Sequence, residues 1–137
     1  MKKTEIFFPF EPKPKGRPRF TRMGRAYTPK TTHDYEKQLR EYYKENCKDF
    51  YNSAIQVKMT FNMPIPKSLT KKQRAQILSG EVKYVKKPDL DNLIKSATDA
   101  LIGVAFEDDN LITKIIAEKK YTSSTPGTQM EIIEDDD

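Results

Sequence analysis

Twenty residues near the N-terminus, EPKPKGRPRFTRMGRAYTPK from Glu11 to Lys30, contain four prolines and two glycines. Proline fixes φ and lacks an N–H, so neither a helix interior nor a central strand can pass through this stretch. Whatever core the chain builds must come from the segments on either side. The stretch itself reads as a long basic loop without structure of its own. Loops of that length are either functional or disordered, and the interleaved arginines and aromatics here favour function.

The flanking segments carry clear periodicities. TEIFFPF is rich in aromatic and β-branched residues and reads as a strand that Pro9 ends. Tyr35, Leu39, Tyr42, Tyr43 and Cys47 recur at helical spacing, which predicts a helix from about His33 to Lys48 with Thr31 or Thr32 as its cap. AIQVKMTFNM alternates Ile55, Val57, Met59, Phe61 and Met63 with polar neighbours, the period of a half-buried strand. Thr70 and Gln73 form a capping box for a short polar helix that Gly80 stops. EVKYVKKPD reads as a further strand. Asp91 or Asn92 is placed to cap a helix that turns Leu93, Ile94, Ala97, Ala100 and Leu101 inward and ends at Gly103. NLITKIIAEKKYT and TQMEIIE read as strands joined by an SSTPG turn into a closing hairpin. This order predicts an α+β fold, a single domain over residues 1–137 with one mixed β-sheet packed against helices.

Composition narrows the function. Apolar residues make up 36% and charged residues 33% of the 137, and the mean hydropathy is −0.81. That apolar supply is thin for an isolated globule, so a subunit interface is expected to add burial. One cysteine, Cys47, and one histidine, His33, leave no disulfide, zinc cluster or histidine-based site to build. The start of the chain, where Glu5 and Pro9 interrupt the apolar run, is not a signal peptide, and no run is long enough to span a membrane. The expectation is a soluble, intracellular protein in a reducing compartment.

Charge is unevenly placed. Between Met1 and Lys30 there are nine basic residues against two acids, in a chain of net charge +5. Lys13, Lys15, Arg17, Arg19, Arg22, Arg25 and Lys30, with Phe20 and Tyr27 among them, are the expected nucleic-acid contacts of a basic loop over about residues 11–30. Cations of this kind neutralise phosphates, and aromatics stack on unpaired bases. The acids lie later. The EIIEDDD end, about residues 131–137, reads as a solvated acidic tail, and KKPDLDNLIKSATDALIGVAFEDDN from Lys86 to Asn110 holds five aspartates and a glutamate.

Clustered carboxylates repel one another and need a cation or solvent. Asp89 and Asp91, two apart, share a face if the segment is extended. Asp91 and Lys95, four apart, are neighbours on the first turn of a helix. The turn after Gly103 returns the chain so that Asp108 or Asp109 approaches the first pair. Several carboxylate oxygens from two loops suit a hard divalent cation, magnesium being the economical choice, which can activate water, orient a phosphate and stabilise the leaving oxygen. Lys95 would offset charge developing on the phosphate. The competing reading makes these aspartates helix caps and solvated turn residues. Asp99, two turns beyond Asp91, is assigned no ligand role.

KPDLDNLIKSATDAL followed by GVAFEDDNLI resembles the signature of the RusA family of Holliday-junction resolvases. The shared features are an Asp-x-Asp-Asn core, a lysine three residues after the asparagine, an Asp-Ala-Leu and a downstream acid pair within the 21 residues Asp89 to Asp109. KPKGRPRFTRMGRAYTPK is similar to the basic loop of phage-type members, whereas KSLTKKQRAQILSG matches poorly. The resemblance implies a homodimeric, magnesium-dependent endonuclease, with manganese as a substitute, that nicks four-way DNA junctions symmetrically in the cytoplasm of a bacterial or phage-infected cell. It implies Asp89, Asp91 and Asp109 as metal-site carboxylates and Lys95 as the essential lysine, while Asp108 matches the first acid of the downstream pair. Two rivals stand beside it, a non-catalytic basic DNA-binding module and a metal nuclease acting on flaps or RNA.

Overall fold

A computed structural model describes residues 2–16, 19–27 and 30–135, without the side chains of residues 19, 20 and 27. Strand β1 (Lys3–Phe8) is followed by the short strands β2 (Arg19–Phe20) and β3 (Ala26–Tyr27). Then come helix α1 (Lys30–Asn46), strand β4 (Ile55–Pro64), helices α2 (Lys71–Leu78) and α3 (Leu90–Leu101), and strands β5 (Ile112–Thr122) and β6 (Gly127–Glu134). The main sheet has the order β1-β6-β4-β5. β6 runs antiparallel to both β1 and β4, with Met130 opposite Ile6 and Met59, and β4 runs parallel to β5, with Met59 opposite Ala117. The sheet is mixed and the fold is α+β, as the sequence predicts.

The alternation in β4 puts Ile55, Val57, Met59, Phe61 and Met63 on the face that the helices cover. Ile6 and Phe8 of β1, Met130 and Ile132 of β6, Tyr35, Leu39 and Tyr43 of α1, and Leu93, Ala97, Ala100 and Leu101 of α3 join them in one core. Tyr42 is half-buried, its ring set against Phe8 and Phe10 at 5.7 and 5.5 Å. Opposite α3, Lys58 and Gln129 are exposed on the polar side of the sheet. Parallel strands need a crossover connection. That from β4 to β5 contains α2 and α3, so the acidic motif enters α3 at one end and leaves toward β5 at the other.

Four expectations are corrected. β5 and β6 are not a closing hairpin, because β4 lies between them and residues 123–126 step across its end. EVKYVKKPD is not a strand: its carbonyls at Lys86 and Pro88 accept from Lys119 Nζ, each at 2.9 Å, in place of a ladder, and the Tyr84 ring packs at a tilt against Tyr121, 4.8 Å between centroids. The basic loop is not without structure, since β2 and β3 pair within it. The acidic end is not a solvated tail as far as Asp135, because Glu131 to Glu134 close β6 around buried Ile132, and the Asp135 amide bonds the Ala54 carbonyl at 2.9 Å; Asp136 and Asp137 lie outside the described residues. Smaller adjustments concern α1, which starts at Lys30 and ends at Asn46, and Cys47, which is half-buried. The capping box at Thr70 and Gln73 is formed as expected.

Candidate active site and nucleic-acid arm

α3 forms because LDNLIKSATDAL has an apolar stripe at helical spacing and no proline or glycine, and it stops at Gly103, whose φ of 86° a β-carbon disfavours. Its N-cap is Asp89, in extended conformation with φ −68° and ψ 144°, and that side chain makes no cap bond. The expectation of Asp91 or Asn92 at the cap is thus off by two or three residues. Asp91 sits in the first turn, where the helix dipole favours a carboxylate, and its Oδ1 accepts from the Asn92 amide at 3.0 Å. Asp89, Asp91 and Asn92 are all exposed. An open cleft of about 660 Å3 lies beside them, lined by Pro14, Lys87, Pro88, Asp89 and Asn92. The segment that leads into Asp89 is fixed from β5 by Lys119, which holds the carbonyls of Lys86 and Pro88.

The exit side of the motif is a single turn of 3-10 helix, Asp109–Leu111. Asp108 caps it, its Oδ1 accepting from the Asp109 amide at 2.7 Å. Asp109 borders an open groove of about 390 Å3 with Thr98 of α3 and the start of β5. The adjacent Asp108, then slight burial and the charge of Asp99, hold the Asp109 carboxyl above the usual carboxylate range, while Lys95 opposes them. Among the described residues no three His, Cys, Asp or Glu side chains stand grouped to hold a metal ion.

The basic loop is a built arm. Thr21 and Arg25 close its tip through the Thr21 amide on the Arg25 carbonyl and the Gly24 amide on the Thr21 carbonyl, both 2.9 Å, with Gly24 at φ 80°. A left-handed glycine in a three-residue loop is a recurrent hairpin geometry. Arg22, Met23 and Arg25 project from the tip, Met23 being 93% exposed. Lys13 and Lys30 are exposed as well, Arg17 lies outside the described residues, and so do the side chains of Arg19, Phe20 and Tyr27. Lys15 departs from the expected DNA-facing set. Its Nζ pairs with Glu36 of α1 and with Asp99 of α3, the latter at 3.3 Å, and its side chain is 22% exposed. Burial works against its charge, yet Glu36 and then Asp99 outweigh that and raise its pKa.

Two residues of this region escape sequence reasoning. Asp99 is half-buried and shared by Lys15 and Lys95, the latter at 3.5 Å. Its spacing of four from Lys95 is a visible signal for that pair, but nothing in the sequence announces the contact with the arm. Glu36 carries no local signal at all.

The family model of endodeoxyribonuclease RusA matches residues 9–133 of the 137. The chain belongs to the RusA family. No curated protein matches it. The match spans the arm, most of the core and both halves of the acidic motif, from just after β1 almost to the end of β6, and the fold is RusA-like. Membership in this family implies nuclease activity of the kind that resolves Holliday junctions, with branched DNA as the substrate. Among the described residues no helix is long and apolar enough to cross a membrane.

Proposed function

We propose that this RusA-family protein is a magnesium-dependent, structure-selective endodeoxyribonuclease, with Asp89, Asp91 and Asp109 as metal-site carboxylates and Lys95 as an electrostatic catalyst. The observation that supports it best is the convergence of two chain segments, Asp109 from the turn before β5 lining one groove with Thr98 of α3. Asp109, and not Asp108, lines the groove shared with Thr98 of α3, which favours Asp109 as the third carboxylate.

The donor type suits a hard cation, although the three carboxylates are not grouped into one site among the described residues. All three are exposed carboxylates, hard oxygen donors with room for water, and Asp89 and Asp109 each line an open cleft. When bound there, Mg2+, or Mn2+ in its place, supplies positive charge to a phosphodiester and lowers the pKa of water. The chain's own groups do the rest. Lys95, 60% exposed and paired with Asp99 at 3.5 Å, presents its ammonium to solvent, where it meets a phosphate oxygen and offsets its developing charge. The arm's Lys13, Arg22, Arg25 and Lys30 neutralise phosphates on the flanking duplex.

A homodimer completes the reading. β5 has a strand neighbour on one side only, is eleven residues long, and leaves Ile115 and Ile116 41% and 50% exposed. Such an edge invites a second strand. A two-fold axis there would set two acidic motifs, each running directly into β5, across one junction for paired nicks.

The decisive variant is Asp91→Asn. It should lose junction cleavage and keep junction binding, because it removes carboxylate charge and leaves the arm intact. Wild-type cutting by this variant would take Asp91 out of the chemistry.

A further inference from the structure

A charged cluster beside the acidic motif joins the arm to the domain. Lys15, at the root of the arm, lies between Glu36 of α1 and Asp99 of α3, and Asp99 also holds Lys95. The Lys15, Glu36 and Asp99 side chains are 22%, 15% and 20% exposed. Two ammonium groups face two carboxylates, so the cluster is balanced, and partial burial makes the two Lys15 pairs stronger than surface ion pairs, while Lys95 meets Asp99 nearer the solvent. Backbone bonds reinforce it. The Lys15 amide donates to the Asn92 carbonyl in the first turn of α3 at 3.2 Å, and the Gly16 amide donates to Oγ1 of buried Thr32 in α1 at 2.9 Å. The arm is therefore tied to both helices at the point where it leaves the domain.

Asp99 is the member common to arm and site. Without it Lys95 has no ion-pair partner among the described residues, and Lys15 keeps only Glu36. Its carboxylate lies between two cations, which leaves it poorly suited to ligate a third. A long lysine side chain that is 60% exposed samples many rotamers unless something holds it.

We propose that Asp99 is a positioning residue that holds Lys95 beside the acidic motif and, through Lys15, locks the root of the DNA-binding arm to the same helix. DNA gripped by the arm is thereby set in register with Asp89, Asp91 and Asp109. This rests on the reading of those residues as the cleavage site.

The test uses the full chain with Asp99→Asn, Lys15→Met, the double variant and Asp99→Glu. Two readouts are taken: single-turnover cleavage of a saturating four-way junction with magnesium, and hydrogen exchange at the Lys15 and Gly16 amides of the free protein. Asp99→Asn is expected to slow cleavage about 10- to 100-fold at saturating DNA while binding changes little, as misplacement of a reacting group does. The double variant should be no slower than the slower single, because both act through one unit. Asp99→Glu should recover part of the rate. The Lys15 and Gly16 amides should exchange faster in both single variants. Wild-type cleavage by Asp99→Asn, losses that multiply in the double variant, or unchanged exchange would overturn the proposal. If the unaltered protein does not cut at all, the nuclease reading fails by itself, and exchange alone then decides the lock. Glu36→Gln gives a second route to faster exchange should Asp99→Asn not fold.

Discussion

At Lys95 the chemistry makes a quantitative demand. Its ammonium is the one cation of α3 and pairs with Asp99, and removing a preorganised charge at a reacting phosphate typically costs about 100- to 1000-fold in rate. Lys95→Met should show that loss in single-turnover cleavage with junction affinity nearly unchanged; a loss confined to affinity would make Lys95 a mere DNA contact. Asp109 supplies a pH prediction. Asp108 beside it raises the carboxyl pKa in the folded chain, so folding binds the proton more tightly than the unfolded chain does. Stability from this group is present below the unfolded pKa and is lost as pH rises through the raised one. Asp109→Asn should therefore melt slightly higher than the unaltered protein at neutral pH and match it in acid. A lower melting temperature at neutral pH would contradict that sign.

At the scale of elements, α3 carries both the core and the acids, so its packing and its chemistry separate by face. Leu93 is 1% exposed, and Leu93→Ala should cost about 2–5 kcal/mol in denaturant unfolding. A β-carbon at Gly103 would meet open space, but φ there is 86°, so Gly103→Ala should cost only the left-handed strain, about 1–2 kcal/mol. The helix and its stop are legible in the sequence because their signals are local, as are the period of two in β4 and the capping box at Thr70. The segment 81–89 misleads because Val82, Val85 and Tyr84 mimic a strand, whereas a lysine of β5 takes the carbonyls that a ladder would use. Bonds between distant segments leave no trace in local periodicity. The same holds for Lys15, whose sequence neighbours suggest a phosphate contact and whose partners Glu36 and Asp99 lie far along the chain in α1 and α3.

For the whole molecule, strand adjacency is the part least written in the residues. The SSTPG turn between two apolar runs points to a hairpin, and only the sheet shows β4 between them. The acidic motif is legible as a motif, because its spacing is compact, but which of Asp108 and Asp109 faces α3 depends on a single turn of backbone. The exposed edge of β5 bears on assembly. On the homodimer proposed above, Ile116→Lys should shift the protein from dimer to monomer in light scattering and turn paired nicks into single ones; an unchanged mass would contradict a dimer built on β5.

The most direct test of the central claim is cleavage of a synthetic four-way junction and a matching linear duplex by the purified protein, each with magnesium or with chelator. A magnesium-dependent resolvase should give paired nicks in the junction, only with magnesium, and leave the duplex intact. Salt-sensitive binding to both substrates with no cutting under either condition would contradict it, and would leave the aspartates of α3 as helix-end residues beside a DNA-binding arm.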